Sequence, residues 1–257
     1  MTAAKRTYSG QDVEQGGSEE NSSHLGATAD AEAEVSRYID PRVLERYDVY
    51  SYRHAAAILA TAFPEELGEI QQALLEFRIT TRDIGTPGGN ESVIPKKFSN
   101  LLRPKGWIEA RIQGDLSVRM ITKHEKHEEG KSLVLESFID GHKIDYVKGR
   151  VAFDLEWNSK DQTFDRDLYA MRAFHECGLI SVGVMVTRSE KLNPLFDDLP
   201  QLDKNGRQIK KSVKAKCGAS TTWMGKLLYR LNAGRHGGCP VLVFGITPKV
   251  IEALDRP

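Results

Sequence analysis

The chain has 257 residues, 40% of them hydrophobic and 28% charged, with 36 basic against 36 acidic side chains, enough for one folded unit around one good core. No apolar run approaches the ~20 residues a membrane crossing needs, and the first 30 residues lack the apolar core of a signal peptide, so secretion is unsupported. Cys177, Cys217 and Cys239 are odd in number and form no CxxC, which suits reduced thiols better than a disulfide framework.

The zero net charge hides a division. Residues 1–35 carry two basic and seven acidic residues, leaving 34 basic against 29 acidic for the rest. The opening segment is rich in Gly, Ser and Ala, so residues 1–37 are expected to form a disordered acidic tail and residues 38–257 a single domain. Between Tyr52 and Phe77, Ala56, Leu59, Phe63, Leu67, Ile70, Leu74 and Phe77 recur at helical spacing, with Pro64 placed to start a second helix. A Gly-Pro loop follows at Gly85 to Asn90, then a short helix over Lys96 to Leu102. Lys96, Lys97, Arg103, Lys105 and Arg111 form a basic run that suits either a phosphate-tracking surface or a solvated helix face. Leu116 to Thr122 alternates as a strand, and Lys123 to Lys131 reads as a polar connection. His124, His127 and His142 lack the paired-cysteine knuckle of a zinc site.

The segment from Lys143 to Trp157 carries the chemistry. Val151, Phe153, Leu155 and Trp157 alternate with Arg150, Ala152, Asp154 and Glu156, so a strand here has one apolar face and one face with two carboxylates. Ile144 to Val147 forms a second extended run, and a turn at Lys148-Gly149 brings Asp145 towards the same pair. Three converging carboxylates resist joint ionisation unless a cation sits among them. Magnesium, which prefers oxygen ligands, is the natural one, and metal-assisted phosphoester chemistry follows. A solvated strand face is the plainer alternative for the same spacing.

Beyond the hairpin, Phe164, Leu168, Met171 and Phe174 mark an amphipathic helix ended by Gly178, with Asp165, Arg166 and Asp167 expected on its solvated side. Leu179 to Thr187 and Val241 to Thr247 are nearly continuous apolar strands, covered on both faces, which makes the fold class α/β: a mixed β-sheet flanked by helices. Between them, Asp203 to Lys216 sets Lys204, Arg207, Lys210, Lys211, Lys214 and Lys216 against one acid, reading as a mobile basic loop. Ser220, Thr221 and Thr222 precede a helix through Trp223, Leu227, Leu228 and Leu231, where hydroxyls and free N–H groups suit phosphate, with Ser220 as the N-cap. Arg235 beyond it is placed for a guanine edge or a phosphate.

The string Ile-Asp-Tyr-Val-Lys-Gly-Arg-Val-Ala-Phe-Asp-Leu-Glu-Trp resembles the active-site segment of the BglII and BstYI group of type II restriction endonucleases, with BamHI a more distant relative. Further similarity lies at Lys105 to Arg111, at Ala233-Gly234-Arg235 and at Pro240 to Pro248, so it spans roughly residues 48 to 248. The resemblance implies a restriction-endonuclease-like PD-(D/E)xK core with Asp145, Asp154 and Glu156 at the metal centre, and the backbone carbonyl of Leu155 as a further magnesium ligand. Glu156 stands where most such enzymes have Lys and BglII-like ones Gln, whereas BamHI also has Glu. It is assigned here as a general base beside the metal. Glu136 falls where some relatives place another acid, although a helix-surface role suits it better.

These readings converge on a magnesium-dependent endonuclease for double-stranded DNA, cutting at a short palindromic site and leaving 5′-phosphate ends; the resemblance makes a GATC-centred site plausible, and the longer basic loop at 203–216 leaves the recognition sequence open. A homodimer is expected, since a twofold-symmetric site asks for two chains. The implied setting is the cytoplasm of a prokaryotic cell with a cognate DNA methyltransferase. The alternatives are a structure-specific repair or mobile-element nuclease of the same core, or a catalytically silent DNA-binding module.

Overall fold

A computed structural model of the chain describes residues 29–87, 92–124, 127–218 and 220–252. In chain order the elements are α1 (Glu32–Val35), α2 (Pro41–Leu44), β1 (Tyr47–Tyr52), α3 (Ala55–Ala62), α4 (Pro64–Glu76), β2 (Ile79–Thr80), α5 (Thr81–Gly85), α6 (Val93–Leu102), β3 (Ile108–His124), β4 (His127–Lys148), β5 (Val151–Glu156), α7 (Thr163–Glu176), β6 (Val182–Arg188), α8 (Asn193–Asp198), β7 (Pro200–Leu202), β8 (Gln208–Ser212), α9 (Met224–Asn232), β9 (Val241–Ile246) and β10 (Ile251–Glu252).

Six strands form one sheet in the order β1-β9-β6-β5-β4-β3. The three central strands β5, β6 and β9 run parallel, and β1, β4 and β3 join them antiparallel, so the sheet is mixed. The central strands are buried at every position, as the nearly unbroken apolar sequences of β6 and β9 require and despite the two acids of β5. Alternation along each strand then builds two cores. Val151, Phe153, Leu155, Val184 and Phe244 pack with Leu59, Leu67, Ile70, Leu74 and Phe98 from α3, α4 and α6. Ala152, Met185 and Val243 pack with Phe164, Leu168 and Met171 of α7 and Leu227 and Leu231 of α9. Burial of each such large side chain contributes about 1.5–3 kcal/mol. Helix α7 lies so close to β6 that a Cβ on Gly183 would come within 2.6 Å of the Met171 sulfur.

Two sequence expectations change. The acidic tail was placed at residues 1–37; residues 1–28 lie outside the described residues, but residues 29–37 are packed. Ala29 pairs with Tyr52, Asp30 accepts from the Ser51 hydroxyl at 2.5 Å, and Val35 is buried in the core. One valine in a polar run is enough to dock a short helix when a strand edge lies beside it. The polar connection expected at 123–131 is also strand: β3 and β4 pair as far as His124 and His127, forming a long two-stranded arm. Val118, Met120, Leu133 and Val134 on that arm are exposed, and Glu136 is an exposed strand residue there rather than a helix-surface one.

Candidate active site

The acidic face of β5 is turned inwards. Asp154 is 4% exposed and Glu156 9% exposed, because their side of the strand is covered by α7. The plainer alternative of a solvated strand face is therefore wrong. Burying carboxylates costs several kcal/mol each unless hydrogen bonds or cations compensate, and here compensation is incomplete.

The β4–β5 hairpin closes through Gly149 and Arg150, where Gly149 has φ +53°, as the first loop position of a type II′ turn requires. The strands pair from Lys148 and Val151 only to Tyr146 and Phe153. One step further on, the Asp145 N–H donates at 3.1 Å to the Asp154 carboxylate. On its other side β4 bulges, since Glu109 of β3 faces both Asp145 and Tyr146 while Ile108 pairs with Val147 and Ala110 with Ile144. Such a bulge re-aims the side chains around it. The splayed strand ends open a cleft lined by Asp145, Leu155, Glu156, Ser159, Arg103 and Lys216. It lies at the carboxyl end of a parallel strand, where open α/β sheets bind ligands.

Asp145, Asp154 and Glu156 are thus brought together, with Asp145 solvent-accessible on the cleft wall. A fourth carboxylate, Asp167 of α7, joins them and is 2% exposed. Its neighbour Arg166 donates to Asp167 Oδ1 from Nε at 3.1 Å and Nη2 at 2.9 Å, and Nη2 lies 3.9 Å from Glu156 Oε1. The solvated helix side expected for residues 165–167 is corrected for Asp167, which is buried; Arg166 is exposed and Asp165 half-buried. Asp165 also has partners, accepting from Arg230 and Arg235.

Burial raises all four carboxyl groups. Asp154 is pushed well above the carboxylate range, first by burial and then by the charges of Asp167 and Asp145. Asp145 is raised by burial and by Glu109, with Arg103 and Arg166 pulling back. Glu156 is raised by burial against the Ser159 hydroxyl and Arg166. Asp167 is pushed up to about 8 by burial and by Glu156.

This donor set fits a hard cation. Asp154 Oδ2 and Asp167 Oδ2 are buried with no hydrogen-bond partner among the described residues, and every candidate ligand is oxygen. Among the described residues no group of three His, Cys, Asp or Glu is arranged to hold a metal by itself. Magnesium commonly takes one or two carboxylates and fills its shell with water and phosphate, so the set suits an ion shared with a nucleic acid.

The basic segment is not a simple loop. Residues 200–212 fold into the β7–β8 hairpin, in which Lys210 and Lys211 are exposed on alternate faces of β8. Lys214 pairs with Asp197 at 2.6 Å, and Lys216 lines the cleft with its Nζ donating to the Thr86 carbonyl. Ser220 does not cap the next helix. Helix α9 begins at Met224 after an extended Trp223 with no side-chain cap. Instead, residues 220–222 pair with the loop that follows β5, with Asp161 N–H to Ser220 O at 3.0 Å and Thr222 N–H to Ser159 O at 2.9 Å. Buried Arg188 fixes them from below, donating to Thr222 O and Thr221 Oγ1. Arg235 is paired with Asp165 and lies over the Tyr229 ring.

The family model for restriction endonuclease BglII/BglIII matches residues 47–246, which includes all six strands of the sheet and the whole cleft. The chain belongs to that family. It is therefore a BglII-family nuclease domain acting on DNA. No curated protein matches it in a sequence search. Among the described residues no helix is long and apolar enough to cross a membrane. Two residues of this BglII-family site escaped the sequence reading. Glu109 had no spacing rule to connect it with Asp145, and Asp167 sits in a helix whose other charged residues are exposed or half-buried.

Proposed function

We propose that the chain is a magnesium-dependent type II restriction endonuclease that cuts both strands of a short palindromic DNA site, GATC-centred by its resemblance, as a homodimer beside a cognate methyltransferase in a prokaryotic cytoplasm. The observation that carries this reading is the splayed end of the β4–β5 hairpin inside the family-matched segment, where Asp145 and Glu156 line one cleft and buried Asp154 accepts the Asp145 N–H behind it.

Asp145, Asp154 and the Leu155 carbonyl would hold the ion in its PD-(D/E)xK-like setting. Bound there, magnesium supplies Lewis-acid polarisation of the scissile phosphate and favours ionisation of water. Glu156 takes the proton of the attacking water. Burial raises its affinity for a proton, while Ser159 and Arg166 keep the ionised form accessible, the balance a general base needs near neutrality. Oxygen attacks phosphorus in line, the P–O3′ bond breaks, and the products are a 5′-phosphate and a 3′-hydroxyl. Lys210, Lys211, Lys214, Lys216 and residues Ser220 and Thr221 supply the DNA-binding surface, with Arg235 at its margin; Thr222, expected there from the sequence, is fully buried and supports that surface from behind. One carboxylate cluster serves one strand, so a second copy serves the other.

Incubating the protein with plasmid and phage DNA, with magnesium or with EDTA, tests the proposal. Discrete, magnesium-dependent fragments with 5′-phosphate ends are expected. A smear or junction-only cleavage would indicate a structure-specific nuclease, and binding without cleavage a silent module.

A further inference from the structure

Arg166 and Asp167 are adjacent on α7, and adjacent helix residues do not normally face each other. Here the guanidinium folds back to clasp Asp167 Oδ1 through Nε and Nη2. Asp167 is almost fully enclosed, yet its second oxygen has no partner among the described residues. Such a carboxylate costs stability compared with an apolar residue of similar size, so the packing of α7 gives no reason for it. It lies within hydrogen-bonding reach of the Glu156 carboxyl group, and its clasp fixes Arg166. The clasp leaves Nη1 without a partner among the described residues and holds a side chain that is still 64% exposed within 3.9 Å of Glu156.

An acidic site repels the phosphate it must receive, and cations beside it offset that repulsion; Arg103 and Lys216 line the cleft itself, while Arg166 stands outside the lining, next to Glu156 on the α7 side. A guanidinium suits the task because its planar N–H groups match phosphate oxygens and it keeps its charge when partly buried. Its orientation is also set in advance by the clasp, and preorganised donors stabilise developing charge most effectively. We propose that Arg166 is a catalytic residue that donates to a non-bridging oxygen of the scissile phosphate, and that buried Asp167 is the positioning residue that aims it. This rests on the nuclease reading above.

The test compares wild type with R166A, R166K and D167N. It reads single-turnover cleavage in magnesium, affinity for the same duplex in calcium, and melting temperature. R166A is expected to cut about 10²–10³-fold more slowly at a temperature where it stays folded, with duplex affinity nearly unchanged, a melting temperature lowered by the loss of Asp167's ion-pair partner, and part of the rate restored by added guanidinium ion. R166K should recover part of the loss, and D167N should slow the same step while Arg166 is present. R166A cutting within about threefold of wild type would overturn the proposal. So would a loss that follows weakened duplex binding and is not rescued by guanidinium. If wild type cuts no DNA under any condition, the nuclease reading itself falls; if wild type cuts and R166A cuts equally well, only the role of Arg166 falls.

Discussion

Replacing the Asp154 carboxylate is expected to end cleavage and stabilise the protein at the same time. Its Oδ1 accepts the Asp145 N–H, whereas its Oδ2 is buried without a partner among the described residues. Asp154→Asn keeps the first bond, removes the buried charge and sets an amide N–H among carboxylates. A gain of about 1–3 kcal/mol in metal-free urea unfolding is expected, together with loss of cleavage and nearly unchanged DNA affinity, since binding rests on cations elsewhere. Activity within about tenfold of wild type would remove Asp154 from the metal site. Asp167 gives a pH signature. Its carboxyl is pushed from the ordinary 3.8 up to about 8 in the folded protein, so the folded state favours the protonated form. The stability it contributes is full below about pH 4 and is lost as pH rises to about 8. Urea midpoints in EDTA should therefore fall over that range, and Asp167→Asn should flatten the decline. Asp145, Asp154 and Glu156 were legible because a period of two and one turn relate them. Asp167 was not, since eleven positions separate it from Glu156 and only tertiary packing turns it inwards.

At the level of elements, the period-two pattern was enough to place β5, and continuous apolar runs placed β6 and β9. What the pattern does not contain is the bulge opposite Glu109 or the early end of β4–β5 pairing, both of which depend on how β3 and β4 register. The basic segment shows the same limit: its lysine count was plain, but its folding into a hairpin was hidden by polarity and by Gly206, which occupies the tight turn at φ +78°. That hairpin sharpens a prediction. Lys210 and Lys211 lie on opposite faces of β8, so one flat DNA surface meets one of them. Single changes to Ala should be unequal: one should reduce the log–log salt slope of duplex binding by roughly 0.9 and the other should leave it nearly unchanged. Equal effects measured across several salt concentrations would mean that DNA wraps the hairpin. Lys214, already paired with Asp197, should contribute less than either exposed lysine that meets phosphate.

Across the whole molecule, the layered sheet and the helices on both faces followed from the apolar patterning, but the boundary of the folded unit did not. Composition averaged over residues 1–35 is dominated by acids and small residues and conceals a short docking segment. The structured part begins by residue 29, where Ala29 extends the edge of β1, and it continues through Asp30, which accepts from the Ser51 hydroxyl and from the His54 N–H. His54 has φ +60° and Arg53 φ +56°, a left-handed pair that turns the chain from β1 into α3, and the Asp30 carboxylate ties down that turn. Val35 then enters the main core at 4% exposure. Two truncated forms, one lacking residues 1–28 and one lacking 1–37, isolate this segment because they differ only in residues 29–37. The longer deletion should be the less stable of the two by about 2–4 kcal/mol, from loss of one buried valine and of the bonds that hold the turn. Since β1 borders β9 rather than the cleft strand β5, the cleavage pattern at a temperature where both stay folded should be the same. Equal melting temperatures would show that residues 29–37 add nothing to the fold and would return the boundary to residue 38; a changed cleavage pattern would tie the segment to DNA.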